Sequence, residues 1–243
     1  GPYEEAGRTS GKQTLKYVDQ KSRRNEIKNG TTYYYRVAAC NIGGAISPQS
    51  DTVSAVTKPA PSRPCGMSAT TGGIKEIVLK WQPSPEKDVE SYAIYRSSSR
   101  NGRFNRIGKV PAGTVTYADK GLSDGENYCY QVMAVDRDGL ESEPSESVEG
   151  TTKALPEPPS SPEATAQGSE IRLTWTKSET PDVAKYIVYG HGVFRSWKVD
   201  ESTDTNFAVK NLKPGDSYKF SVSAVDKDGL ESRRSSIVKC VLP

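Results

Sequence analysis

The sequence predicts an all-β chain in which one seven-stranded β-sandwich is written three times, the first time in part. Three observations carry this. The stretch GENYCYQVMAVDRDGLES (125–142) returns as GDSYKFSVSAVDKDGLES (215–232) and, more loosely, as GTTYYYRVAACNIGGAIS (30–47). Inside the repeat, Tyr128, Tyr130, Val132 and Ala134 alternate with Cys129, Gln131 and Met133, and Tyr218, Phe220, Val222 and Ala224 alternate with Lys219, Ser221 and Ser223. A period of two puts one set inward and the other on the outer face of a sheet. Upstream of the last two copies, a tryptophan-bearing stretch (IVLKWQPSP with Trp81, IRLTWTKSE with Trp175) precedes a tyrosine-bearing one (Tyr92 to Tyr95, Tyr186 to Tyr189).

The strands of such a sandwich are lettered A, B, C, C′, E, F and G in chain order. In the first copy Gly1-Pro2-Tyr3 aligns with Gly102-Arg103-Phe104, and Tyr17-Val18-Asp19 with Tyr117-Ala118-Asp119. Residues 1–58 therefore read as strands C′ to G of a partial domain. A sandwich lacking most of one sheet exposes an apolar face and an unpaired edge. The expectation is that the natural polypeptide continues upstream or that another chain adds the missing strands. KPAPSRP (58–64) forms a short joint stiffened by proline.

The second domain is expected over 59–153. Its strands read as Met67–Thr70, Glu76–Gln82, Ser91–Ser97, Asn105–Val110, Thr114–Asp119, Tyr128–Asp136 and Ser145–Thr151. Its core reads as Ile77, Leu79, Trp81, Tyr92, Ile94, Tyr117, Leu122, Tyr128, Tyr130, Val132 and Ala134. A second joint, LPEPPSSP (155–162), lies at the start of the third domain, 154–243. There the core reads as Ile171, Leu173, Trp175, Tyr186, Val188, Phe207, Leu212, Tyr218, Phe220, Val222 and Ala224. The turns Asp136-Arg137-Asp138-Gly139 and Asp226-Lys227-Asp228-Gly229 each end in a glycine able to take positive φ, which suits a hairpin.

An apolar residue stands six positions before the first tyrosine of each copy: Ile27 before Tyr33, Leu122 before Tyr128, Leu212 before Tyr218. This resembles the tyrosine corner of Greek-key sandwiches, whose hydroxyl bonds back to upstream backbone. Tryptophan on B, tyrosine on C and Leu-x5-Tyr entering F together resemble the fibronectin type III domain, an immunoglobulin-like sandwich. The AVDKDGLES style of turn is similar to its bacterial members. The resemblance covers nearly the whole chain and implies a non-enzymatic, extracellular or cell-envelope module that spaces domains or holds a protein partner. It equally allows the accessory region of a larger secreted enzyme, such as a polysaccharide hydrolase or protease, with catalysis upstream. The RGD tripeptide and the WSxWS box of some relatives are absent.

Composition narrows the partners. With 33 basic and 30 acidic residues the net charge is +3, too balanced for a nucleic-acid footprint. No apolar run approaches the roughly 20 residues of a membrane helix. The four cysteines, Cys40, Cys65, Cys129 and Cys240, fall on different poles or faces of the expected sandwiches. That placement reads as four independent thiols, Cys129 pointing outward on strand F, with a bridge to another chain or to upstream sequence as the alternative.

Candidate sites are few, and each has a plain structural reading beside it. Lys21, Arg23 and Arg24 sit in an insertion between strands E and F: an anion or glycosaminoglycan contact, or a solvated loop. His191, the one histidine, lacks sequence neighbours suited to catalysis or metal binding and reads as an exposed loop residue. Asp136/Asp138 and Asp226/Asp228 fall short of the six to eight oxygens of a calcium site and are explained by turn chemistry. Phe104 and Phe194 are matched as equivalent C′ positions, as are Ile107 and Trp197. Trp197, with Phe194, Arg195 and His191, forms a candidate aromatic platform for a sugar or protein; the plain alternative is packing at the sheet edge. No nucleophile elbow, P-loop, dinucleotide turn or paired Cys-x-x-Cys is present. The expectation is no catalytic residue, no cofactor and no metal.

Overall fold

The computed structural model describes residues 3–11, 13–20 and 26–243. Among them there are sixteen strands and no helix. Thr32–Tyr35 (β1) and Val53–Val56 (β2) pair antiparallel, with Tyr33 opposite Ala55. No third strand joins this pair among the described residues, and Tyr34, Val37, Val53 and Val56 are exposed.

The next seven strands are Ser68–Ala69 (β3), Glu76–Lys80 (β4), Val89–Ser97 (β5), Asn105–Pro111 (β6), Thr116–Lys120 (β7), Asn127–Asp136 (β8) and Val148–Thr151 (β9). They form a three-stranded sheet in the order β3-β4-β7 and a four-stranded sheet in the order β6-β5-β8-β9. The last seven are Ser160–Gln167 (β10), Glu170–Thr176 (β11), Val183–His191 (β12), Ser196–Ser202 (β13), Asn206–Val209 (β14), Ser217–Asp226 (β15) and Val238–Val241 (β16). Their sheets run β10-β11-β14 and β13-β12-β15-β16, the same order as before.

By compactness the chain forms two units, one of residues 1–69, 79–117 and 129–149, the other of 70–78, 118–128 and 150–243. In the first, Trp81 meets Tyr92 edge to face with centroids 5.5 Å apart, and the Tyr92 hydroxyl accepts from Ser84 N at 2.7 Å. Register places Ile94 against Val132 and Tyr92 against Ala134, so inward residues of the two central strands stack directly. In the second unit the core is continuous: Ile171, Leu173, Trp175, Tyr186, Val188, Val209, Phe220, Val222, Ala224 and Leu242 are buried together. Trp175 and Tyr186 repeat the edge-to-face contact at 5.5 Å.

The tyrosine corner is present in all three copies. Tyr33 Oη accepts from Lys28 N at 2.7 Å, Tyr128 Oη from Ser123 N at 3.3 Å, and Tyr218 Oη from Lys213 N at 2.8 Å. Serving these bonds keeps the rings near the rim: of the expected core residues Tyr128 and Tyr218 are half-buried, Tyr218 packing against the buried cluster. Tyr117, Phe207 and Leu212 are likewise half-buried.

The strand expected over Ser145–Thr151 begins only at Val148. Before it, serine hydroxyls do what a carbonyl ladder would do. Ala134 N donates to Ser142 Oγ at 2.9 Å and Val132 N to Ser145 Oγ at 3.0 Å. Ser232 and Ser235 repeat this on Ala224 and Val222, and Ser47 and Ser50 on Ala39 and Val37. The strand ladder is thus replaced, not lost, which keeps the buried amides satisfied.

All four cysteines are free. Cys129 does alternate outward on β8, yet it is only 3% exposed. It lies on a central strand, flanked by β5 and β9, and burial pushes its thiol pKa up.

Candidate functional site

Among the described residues, a cluster of charges lies at each of the two joints. At the first, the Lys58 ammonium meets Asp88 Oδ2 at 2.8 Å, Asp136 Oδ2 at 2.6 Å and Asp138 Oδ2 at 2.5 Å. At the second, the Lys153 ammonium meets Asp182 and Asp226, both at 2.8 Å, and Asp228. The backbone explains the convergence. Asp88 and Asp182 immediately precede β5 and β12, and Asp136 and Asp226 end β8 and β15, the strands that pair with them.

The turn then folds the second carboxylate back. Asp136 Oδ1 accepts from Asp138 N at 2.9 Å and Leu140 N at 2.8 Å, and Asp226 Oδ1 accepts from Asp228 N at 3.0 Å and Leu230 N at 2.8 Å. Gly139 and Gly229 close these turns at φ 81° and 83°, a region that favours glycine. Asp136 and Asp226 are buried; their Oδ2 atoms make no hydrogen bond to other described groups and rest on the lysine.

The electrostatics follow. Hydrogen bonding to Lys58 and to the turn amides holds the Asp136 carboxyl below the usual range, against the opposing effect of desolvation. For Asp226, burial pushes upward, and Lys153 with the Leu230 and Asp228 amides outweighs it, so the net direction is down. Asp136, Asp138 and Asp88 raise the pKa of Lys58, and Asp182, Asp226 and Asp228 that of Lys153. Asp182, Asp226 and Asp228 also have carboxylate oxygens within 4.8 Å of one another, close enough to hold a metal ion. Three monodentate carboxylates supply half or less of a calcium shell, and an ammonium already bridges them. Lys58, Lys153, Asp88 and Asp182 belong to none of the motifs that mark the strands and turns. The signal that would have found the two lysines is the recurrence of Thr-Lys-x-x-Pro-x-x-Pro at 57–64 and 152–159.

The second candidate is the β12–β13 hairpin. Anchoring on Tyr92 and Tyr186, register sets Ile94 opposite Gly108 and Val188 opposite Asp200, with Ile107 and Val199 as the bulged residues. Trp197 therefore corresponds to Asn105, and Val199 to Ile107. The equivalence expected between Trp197 and Ile107 is corrected: it would need the connection after β12 to be four residues shorter than that after β5, and register makes it two residues shorter.

Trp197 lies opposite Gly190, whose added Cβ would stand 2.7 Å from indole Cε2 and Cζ2. The ring thus occupies the space above a glycine, and remains 47% exposed. Phe194 is fully exposed at the tip and Arg195 is exposed beside it. His191 is half-buried at the end of β12, with Nε2 2.8 Å from Ser221 Oγ, which corrects the exposed-loop expectation. Burial, with Arg234 and Lys219, lowers its pKa. Arg234 stacks over Tyr189 at 3.7 Å and donates to Ser196 Oγ at 2.7 Å, bracing the hairpin beside its tip. Lys185 and Lys198 hold Glu201 down to about 2. The structure thus keeps His191, Phe194, Arg195 and Trp197 on one hairpin. Lys21, Arg23 and Arg24 lie outside the described residues.

Repeated sheet order, the Trp–Tyr pair and three tyrosine corners define the sandwich, and the sequence matches the fibronectin type III domain over residues 59–151 and 157–241. The chain belongs to the fibronectin type III family. Its curated relatives include Titin of Drosophila melanogaster, 30% identical over 86% of this chain and 1% of that protein. Exoglucanase B of Cellulomonas fimi is 26% identical over 85% of this chain and 20% of its own length. Chitinase A1 of Niallia circulans is 31% identical over 79% and 27% respectively. The fibronectin type III chain thus spans about a quarter or less of these proteins. Among solved structures, that of the chicken CNTN1 FN1-FN3 domains aligns at 18% identity over 88% of this chain and 76% of that one, with a TM-score of 0.37.

Proposed function

We propose that this chain is a non-enzymatic spacing and protein-interaction region of an extracellular or cell-envelope polypeptide. The observation that carries the reading is the repetition itself. Two sandwiches of one strand order follow each other, and both are entered through a short joint of the same Lys-x-x-Pro-x-x-Pro build. Residues 1–58 belong to this reading as part of a further sandwich, strands C′ to G. Fold alone does not name a ligand, and no cofactor is needed for spacing. Among the described residues no helix is long and apolar enough to cross a membrane.

A second reading makes the chain an accessory region of a larger secreted enzyme. It is favoured by relatives named as an exoglucanase, a chitinase and a poly(3-hydroxybutyrate) depolymerase, of whose lengths the chain spans 20%, 27% and 18%. In that setting Trp197, with Phe194, Arg195 and His191, offers a weak polysaccharide contact.

One experiment addresses both readings. The purified chain is incubated with cellulose, chitin and polyhydroxybutyrate, and both depletion from solution and product release are measured. No product release is expected. Depletion abolished by Trp197→Ala favours the second reading; its absence favours the first. Hydrolysis by the purified chain would overturn both.

A further inference from the structure

The Asp-x-Asp-Gly turn recurs in all three copies in shape but not in charge. In the first copy Asn41 stands for the first aspartate and Gly43 for the second. The turn still closes: Ala45 N donates to Asn41 Oδ1 at 2.9 Å and Gly44 N to Asn41 O at 3.0 Å. One side-chain oxygen is therefore all the turn uses. The second oxygen of Asp136 and Asp226, and the whole carboxylates of Asp138 and Asp228, exceed that need. The same two copies add a third carboxylate, Asp88 or Asp182. Three converging anions, one of them buried, are unfavourable without a cation. In both copies the cation seated among them is a lysine from the preceding joint.

The geometry points to a binding site in each of these sandwiches for a lysine ammonium supplied in cis, which latches the joint to the sandwich that follows. The residue before each lysine is anchored the other way. Thr57 Oγ1 donates to Lys28 O at 2.7 Å and accepts from Thr31 N at 3.0 Å. Thr152 Oγ1 donates to Ser123 O at 2.6 Å and accepts from Glu126 N at 3.0 Å. Adjacent residues thus bind backward and forward, with no free chain between the two attachments.

Beyond the lysine the joint stays fastened. Pro61 and Pro64 in one, Pro156 and Pro159 in the other, are buried. Four residues after each lysine a backbone amide is taken up: Ser62 N by Glu86 Oε1 at 2.9 Å, Glu157 N by Thr180 Oγ1 at 2.8 Å. Lysine suits the site because its ammonium is a compact point charge with three donors, one for each carboxylate. The inference holds whichever partner the chain serves.

The test uses the whole chain and nuclear magnetic resonance of its lysine ammonium groups and joint amides. In the unmodified protein, two lysine side chains are expected to show slowly exchanging ammonium protons. Lys153→Met removes one of them and speeds hydrogen exchange at Glu157 N by about tenfold or more. The double variant Asp226→Asn with Asp228→Gly copies the turn of the first copy, so the turn is retained while the carboxylates are removed. It is expected to release the same ammonium signal and the same amide while the amides of β11, β12 and β15 keep their protection. Absence of slowly exchanging ammonium protons in the unmodified protein would overturn the assignment. So would unchanged Glu157 exchange in the double variant. Displacement of the Lys153 signal by millimolar calcium would make the site a metal site and overturn it as well.

Discussion

At the residue scale, the aspartate turns show where a sequence is readable and where it stops. Asp136 and Asp226 are legible as turn residues because the Asp-x-Asp-Gly order is local, and their Oδ1 atoms do bind the turn amides. Their other oxygens are not legible, because their partner is 78 or 73 positions away in the chain. The consequence is a pH dependence with a definite sign. Lys58 lowers the carboxyl pKa values of Asp136 and Asp88, and, against burial, Lys153 with the turn amides lowers that of Asp226. Their contribution to stability is present above the unfolded carboxylate value, about 3.9, and is lost as pH falls through the folded values. Lys58 and Lys153 have raised values, so their contribution is complete below the unfolded lysine value, about 10.4, and is lost only as pH rises through the folded ones. The latch therefore spans roughly pH 4 to 10. Melting curves taken across pH should show a steeper acid decline in the unmodified protein than in the Asp226→Asn, Asp228→Gly variant. Equal acid slopes would detach these groups from stability. The tyrosine corner is a second residue-scale feature. Removing the Tyr218 hydroxyl leaves Lys213 N without its acceptor, and Tyr218→Phe should cost about 1 kcal/mol in chemical denaturation.

At the element scale, most strands were legible because alternation, the Trp–Tyr pair and Leu-x5-Tyr each fix a face independently. Register between β12 and β13 was not. Matching Phe104 to Phe194 takes the connection after β12 as four residues shorter than that after β5; register makes it two residues shorter, which sets Trp197 at the place of Asn105, opposite Gly190. The serine-bonded start of the last strand was hidden for another reason: a side-chain hydroxyl standing in for a carbonyl leaves no alternation to read. The hairpin makes a prediction of its own. A methyl at Gly190 would meet the Trp197 indole at 2.7 Å, and the ring, on an edge strand and already half exposed, has room to leave. Gly190→Ala should shift tryptophan emission to longer wavelength and cost about 1–3 kcal/mol. If the emission is unchanged, the indole does not rest on that glycine.

At the scale of the whole molecule, the question is what the joints transmit. The core of the last sandwich closes on itself through Leu173, Val188, Phe220, Val222 and Leu242. Its stability is therefore its own, apart from whatever the joint adds. Leu173 is 1% exposed, so Leu173→Ala removes buried methyl groups and leaves a cavity, at about 2–5 kcal/mol. For a domain of this size that corresponds to a fall of roughly 10 °C or more in its transition. Scanning calorimetry of the whole chain should then resolve two transitions, with the lower one belonging to the last sandwich. The transition of the preceding sandwich should move much less, because it keeps its own buried Ile94, Tyr130 and Val132. Adding Lys153→Met to Leu173→Ala should leave that preceding transition where it is, since the carboxylates it releases lie in a sandwich already unfolded. Two transitions that fell together by the same amount would mean that the joint welds the sandwiches into one cooperative unit rather than fastening two.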